Sequence, residues 1–149
     1  MLISVIVGVF LDRVVYYQEA AEKASMEQVA LDLRSSVNLR VAELVLENRF
    51  SELHALAAAN PMDLLVQKPQ NYLGVLKRPT AGKVAPGNWY FDDVSKEVVY
   101  CVDLGRYFSA DPQGRKCPAW RVGLVLGADG KMEPPQWARF ELVAPYRWF

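Results

Sequence analysis

The chain begins with about fifty residues that carry a helical pattern without interruption. No proline or glycine occurs between Val9 and Phe50, and residues 18–24 are mostly strong helix formers. A helix over residues 1–50 would be roughly 75 Å long at 1.5 Å per residue. That length exceeds the width of a 149-residue domain, so we expect the N-terminal part of the helix to protrude.

The protruding end is uncharged and almost wholly apolar over residues 1–11. This run is shorter than the roughly 20 apolar residues that cross a bilayer, and it lacks the basic start and cleavage site of a secretory signal. We expect a membrane or other helices to cover its apolar members: Leu2, Ile3, Val5, Ile6, Val7, Val9, Phe10 and Leu11. Tyr16 and Tyr17 follow, and fit either a membrane–water interface or core packing.

The second half of the helix is amphipathic. One apolar stripe recurs every three or four residues, at Met26, Ala30, Leu33, Val37, Val41 and Leu44. Glu19 and Lys23 are spaced as a favourable surface ion pair. Ser51 is a candidate cap for a short second helix over residues 52–59, which Asn60 and Pro61 end.

The sequence from residue 67 onwards predicts a β-sheet that follows a loop. Residues 67–88 are rich in proline and glycine and predict a long loop. Alternating patterns then predict strands at 89–91, 97–104, 120–126 and 138–142, with turns at 92–96 and 127–130. The predicted fold class is α+β, a long protruding helix packed on a four-stranded antiparallel sheet. We divide the chain into an apolar N-terminal helix, residues 1–25, and a globular head, residues 26–149.

Composition and motifs give no support for enzymatic activity or a cofactor. Seventeen basic and seventeen acidic residues cancel, so no net field attracts nucleic acid. His54, the only histidine, is expected to be an ordinary helix residue, and no metal-ligand spacing occurs. Asp92 and Asp93 are explained by turn formation. The four tryptophans, with Tyr90, Tyr100 and Tyr146, fit core packing or, less well, a carbohydrate-binding platform. Residues 146–149 form either an exposed patch or a final strand on the sheet.

Cys101 and Cys117 flank a polar segment between two predicted strands. Adjacent antiparallel strands would bring them together, and a bridge would then contribute roughly 3 kcal/mol on chain-entropy estimates. Pairing implies an oxidising compartment, such as the periplasm, and the alternative is two unrelated reduced thiols.

Several segments resemble type IV pilins and type II secretion pseudopilins. The resemblance covers the architecture and residues 11–23 (LDRVVYYQEAAEK), 60–63 (NPMD), 71–74 (NYLG) and 87–92 (GNWYFD). The processing signature of that family, a Gly-Phe-x-x-x-Glu pattern in an apolar run, does not occur before residues 2–11. We therefore expect about ten further mature residues and a leader upstream of Met1, which would complete an apolar run long enough for a bilayer.

The resemblance implies a structural subunit of a pilus or pseudopilus with a single membrane-spanning helix and a methylated N-terminus. Its partners would be copies of itself or other pilin-like subunits, the bacterial inner membrane and an assembly machinery. The head would lie in the periplasm before assembly and on a filament afterwards. The alternative function is a membrane-tethered periplasmic binding domain that does not polymerise.

Overall fold

The structure, a computed structural model, describes residues 2–80, 82–126 and 135–149, without the side chain of Leu2. Two helices and a 3₁₀ turn precede five strands, which confirms the α+β class. The elements are α1 Leu2–Leu46, α2 Glu52–Ala58, the 3₁₀ turn Pro61–Leu64, β1 Tyr72–Leu76, β2 Asn88–Asp92, β3 Glu97–Cys101, β4 Ala119–Val125 and β5 Trp137–Leu142.

Helix α1 ends four residues before the predicted Phe50 because the backbone reverses at Asn48, which has a φ of 58°. The amide of Asn48 donates to the Val45 carbonyl (3.1 Å), and that of Arg49 donates to the Leu44 carbonyl (2.8 Å). These two bonds form a Schellman motif, in which asparagine replaces the more common glycine. Phe50 then turns back and packs against the core.

The predicted apolar stripe of α1 is confirmed. Met26, Leu33, Val37, Val41 and Leu44 are each at most 1% exposed, and Ala30 is half-buried beside them. This face packs against β5 and the 3₁₀ turn, while α2 packs against β4. The stripe therefore fixes which side of the long helix contacts the head.

The sheet has five strands in the order β1-β2-β3-β4-β5, so the prediction of four strands was wrong. The additional strand, β1, lies within the segment predicted to be a loop, and it pairs parallel with β2. Tyr72 is opposite Trp89 and Leu76 is opposite Asp92, with an irregular register between them. The sheet is consequently mixed, since only the other three pairings are antiparallel.

The β2–β3 hairpin forms as predicted, and its turn depends on Asp92. The Asp92 carboxylate accepts hydrogen bonds from the amides of Val94 (2.9 Å) and Arg78 (3.1 Å). Lys96 closes the turn with a φ of 58°. The turn predicted at 127–130 lies outside the described residues.

The core lies between the helices and one face of the sheet. That face consists of buried side chains from the four antiparallel strands: Trp89, Phe91, Val98, Tyr100, Trp120, Val122, Ala138 and Phe140. The ring of Trp89 lies 5.0 Å from that of Tyr100 and 5.4 Å from that of Trp120, centroid to centroid. Aromatic packing therefore joins three adjacent strands.

Ser51 does not cap α2, contrary to the prediction. Its backbone is already helical (φ −61°, ψ −26°), and its side chain makes no capping hydrogen bond. Asn60 is the residue that caps instead, because its side chain accepts from the amide of Met62 (3.0 Å) as the chain enters the 3₁₀ turn.

Candidate functional site: the exposed end of the long helix

The first two to three turns of α1 present apolar side chains to solvent. We call residues 2–11 the helix tip. Its described large apolar residues range in exposure from 49% at Val7 to 78% at Ile3: Ile3, Val5, Ile6, Val7, Val9, Phe10 and Leu11. Leu2, also predicted to belong to this surface, lies in α1 with its side chain outside the described part.

The helix tip is apolar around its circumference rather than on one stripe. At 100° per residue, Ile3, Ile6 and Phe10 lie on one side of the helix, and Val5 and Val9 on another. Complete burial of such a side chain yields about 1.5–3 kcal/mol, so each position retains a large fraction of that driving force. A contiguous apolar surface of this kind marks an interaction site.

Just beyond the tip, Tyr16 attaches the helix to the head. Its ring centroid lies 5.8 Å from that of Tyr107 and 5.0 Å from that of Phe149. Tyr17, by contrast, is 67% exposed. Tyr16 is itself 37% exposed, so its ring packs on the surface of the head and not in the core. An exposed ion pair joins Asp12 to Arg106 (2.9 Å) and adds little to stability.

Glu19 is the one fully buried charged residue among the described part of the chain. Its Oε1 accepts a hydrogen bond from the amide of Tyr107 (2.8 Å) and another from the indole of Trp148 (2.8 Å). Oε2 has no partner among the described residues. The predicted surface pair with Lys23 was wrong, because Glu19 faces the core and Lys23 pairs with Glu27 (3.8 Å).

Glu22, one turn further along α1, accepts three hydrogen bonds from the head. Its Oε1 accepts from the Tyr100 hydroxyl (2.8 Å) and the Asp103 amide (2.7 Å), and its Oε2 accepts from the Leu104 amide (2.7 Å). Burial and the bond to Glu22 raise the pKa of Tyr100 above its usual value. The neutral hydroxyl is therefore retained as a donor to the carboxylate.

The amides of Asp103, Leu104 and Tyr107 that donate to Glu22 and Glu19 lie between the two cysteines of a disulfide bond. Cys101 and Cys117 are bonded, which confirms the predicted pairing. Beside the bridge, the Val102 amide donates to the Lys116 carbonyl (2.9 Å), and Lys116 Nζ donates to the Gly105 carbonyl. A Cβ on Gly105 would lie 3.1 Å from Val102 Cγ1, so the close approach favours glycine. The bridge thus shapes the segment, residues 103–107, that holds the helix.

The exposure and contacts of the other candidate residues show whether each belongs to the core or to the surface. Trp89, Trp120 and Trp148 are buried, so core packing explains them, whereas Trp137 is 39% exposed. The C-terminal segment is tucked onto the head, with Trp148 bridged to Phe108. His54 is exposed on α2. Within the described ranges, no three potential ligands come together in a way that would hold a metal ion.

None of the helices in the described residues is both long enough and apolar enough to cross a membrane.

No protein-family model, curated protein or solved structure matches this chain. The resemblance to pilin-like proteins therefore stays a prediction.

Proposed function

We propose that this chain is a structural subunit that assembles with copies of itself or related subunits through its helix tip. The main observation behind the proposal is the set of seven exposed apolar side chains in the helix tip. The same helix continues into the buried core of the head. A rigid helix presents these side chains as one preformed surface, so little conformational entropy is lost when they are covered.

The distribution of the apolar side chains favours an assembly of several helices. A single neighbouring helix contacts one stripe, but the helix tip is apolar on several sides. Several neighbours, or lipid, are needed to cover it. This requirement is met by a filament whose subunits contribute helices to a common centre.

The attachment to the head determines where the helix tip points. Glu19, Glu22 and Tyr16 bind the helix just after the tip to residues 100–108 and 146–149. A fixed angle between helix and head is what a repeating assembly requires, because each subunit must present the same surfaces to its neighbours.

The resemblance extends the proposal to a type IV pilus or a type II secretion pseudopilus. In that setting the helix would be stored in the bacterial inner membrane with the head in the periplasm, and an assembly machinery would then move it into the filament. The disulfide bond is consistent with an oxidising compartment.

The test is Val9→Asp in the full chain, with Val94→Asp as the matched control. Val9 is 60% exposed in the helix tip, and Val94 is 48% exposed in the β2–β3 turn. An unpaired carboxylate in an apolar interface costs several kcal/mol, so Val9→Asp should weaken assembly at least roughly 100-fold. The free energy of unfolding of the head should change by less than about 0.5 kcal/mol.

Sedimentation velocity and negative-stain microscopy measure assembly, and circular dichroism measures unfolding. The proposal predicts large assemblies for the native chain and Val94→Asp, and none for Val9→Asp. If the native chain stays monomeric in detergent-free buffer, or if Val9→Asp assembles as well as the control, the helix tip is not an assembly surface. The tethered binding domain would then be the better interpretation.

A further inference from the structure

An open groove of about 890 Å³ crosses the face of the sheet opposite the helices. Its floor includes a row of residues in register across three strands, in which Tyr90 is opposite Val99 and Val99 is opposite Ala119. The disulfide bond borders this row. The walls come from segments 78–86 (without 81), 108–118 and 143–147. The groove shares no residue with the helix tip.

Three carboxylates line the groove, those of Asp92, Glu97 and Asp111, and two of them are already occupied by internal hydrogen bonds. Asp92 accepts from the amides of Val94 and Arg78, and Asp111 accepts from the amides of Gln113 (3.0 Å) and Arg115 (2.8 Å). The Arg115 Nε also donates to Asp111 (2.8 Å). These bonds hold the pKa of both carboxyls below the usual value, against the opposing effect of burial at Asp92. Asp92 and Asp111 therefore shape the walls of the groove, and Glu97 is the one lining carboxylate without an ion pair or hydrogen bond among the described residues.

Two guanidinium groups at the groove have no ion-pair or hydrogen-bond partner among the described residues. Arg78 and Arg147 are exposed and line it, and neither side chain makes an ion pair or hydrogen bond with residues 2–80, 82–126 or 135–149. Arg78 also has a φ of 43°, a left-handed conformation that is costly for a side chain of this size. Asp92 holds its amide in that conformation (3.1 Å). Strain that the surrounding structure maintains in this way is typical of ligand sites.

The residues in the walls and floor indicate which kind of ligand the groove binds. Proline occurs in every wall segment, at Pro79, Pro86, Pro112, Pro118 and Pro145, and it offers no amide donor. These prolines reduce the number of backbone donors in each wall, which increases the share of recognition that side chains must provide. Trp89, Trp120 and Trp148 are buried on the other side of the sheet or in the core, so the partly exposed aromatic rings in the groove are those of Tyr90 and Tyr146. Guanidinium groups suit carboxylates, which they bind with two parallel hydrogen bonds.

We propose that this groove binds an acidic peptide segment of a partner protein, with Arg78 and Arg147 contacting its carboxylates. Because the chain has no net charge, attraction depends on these two side chains and not on a global field. The proposal is independent of assembly through the helix tip, and either one can fail without the other.

The test measures the fluorescence anisotropy of labelled decaglutamate with the full, disulfide-bonded chain. Arg78→Gln and Arg147→Gln should each weaken binding roughly 10-fold, or about 1.4 kcal/mol. Arg34→Gln, which removes an exposed arginine from α1, should leave affinity unchanged. Labelled decalysine and decathymidylate should not bind.

Arg78→Gly tests whether binding depends on the guanidinium group itself or on the stability of the fold. Glycine adopts a φ of 43° without strain, so this variant should be at least as stable as the native chain and still lose affinity. The proposal is overturned if decaglutamate does not bind at millimolar concentration, or if Arg34→Gln weakens it as much as Arg78→Gln does. Equal binding of decathymidylate would also reject an acidic peptide in favour of a general anion or nucleic-acid surface.

Discussion

The attachment of the long helix to the head predicts that Glu22→Gln destabilises the fold more than its partly exposed position suggests. The native carboxylate accepts three hydrogen bonds of 2.7–2.8 Å, from Tyr100, Asp103 and Leu104. The amide of glutamine keeps one acceptor oxygen and places an NH₂ group against a backbone donor. The bond from Leu104 should be lost, and the bonds from Tyr100 and Asp103 should be weakened because the remaining acceptor is neutral.

The expected magnitude follows from those bonds. A hydrogen bond to a charged group contributes about 1.5–3 kcal/mol, and the partial exposure of Glu22 reduces this value. We expect Glu22→Gln to lower the free energy of unfolding by about 2–3 kcal/mol in total. For a chain of this length each kcal/mol corresponds to about 2–4 °C, so the melting temperature should fall by roughly 5–10 °C.

The assay is urea and thermal unfolding followed by circular dichroism, with Glu43→Gln as the matched control. Glu43 lies on the exposed side of the same helix and pairs with Arg40 (2.6 Å), a contact worth at most about 1 kcal/mol. A double-mutant cycle with Tyr100→Phe should give a coupling energy of about 1 kcal/mol or more between the hydroxyl and the carboxylate. A loss for Glu22→Gln no larger than for Glu43→Gln, or a coupling of zero, would refute the attachment as described.

Two further predictions concern the segment that holds the helix. Replacing Cys101 and Cys117 together by serine should cost roughly 3 kcal/mol, because the bridge no longer restricts the unfolded chain; urea unfolding measures this, and an unchanged midpoint would contradict it. The raised pKa of Tyr100 means that its contribution to stability is fully present below its usual pKa of 10.0 and is lost as the pH rises through the higher folded value. Unfolding free energies from about pH 9 to about pH 11 should therefore fall less steeply in Tyr100→Phe than in the native chain, and identical slopes would exclude this role.

The parts of the fold that could be predicted are those whose pattern is local. The stripe of α1 was recognisable because each buried residue lies three or four positions from the next. β2 and β3 were recognisable because Trp89 and Phe91, like Val98 and Tyr100, alternate with residues of the other face. The disulfide bond followed from the strands on either side of it.

β1 was assigned to a loop because glycine and proline are frequent in residues 67–88, although four of the five residues of the strand are apolar. Its exposed residues, Leu73 and Val75, flank Gly74, and prolines occur at 69 and 79. Its strand conformation depends on backbone pairing with a segment that lies 16–17 residues further along the chain. No periodicity within five residues encodes such a pairing.

Glu19 was predicted to pair with Lys23 because the two residues are four positions apart. Its donors, Tyr107 and Trp148, come from distant parts of the chain. One signal was present, since Glu19 precedes Met26 by seven residues and Leu33 by fourteen, which places it on the buried stripe. Extending the apolar period towards the N-terminus would have indicated that this carboxylate is buried.

The bond between Glu19 and Trp148 also has a consequence for the order of folding. The two residues are 129 positions apart, and Lys23 reaches the Trp148 carbonyl across 125 positions. The long helix is synthesised first, but its attachment is complete only after residues 146–149 have been made. Contacts of such long range slow folding, and until β5 has been made the inner stripe of the helix lacks its contact with the sheet. We therefore expect the nascent chain to need protection, from lipid or a chaperone, until residues 137–149 have been made and these contacts form.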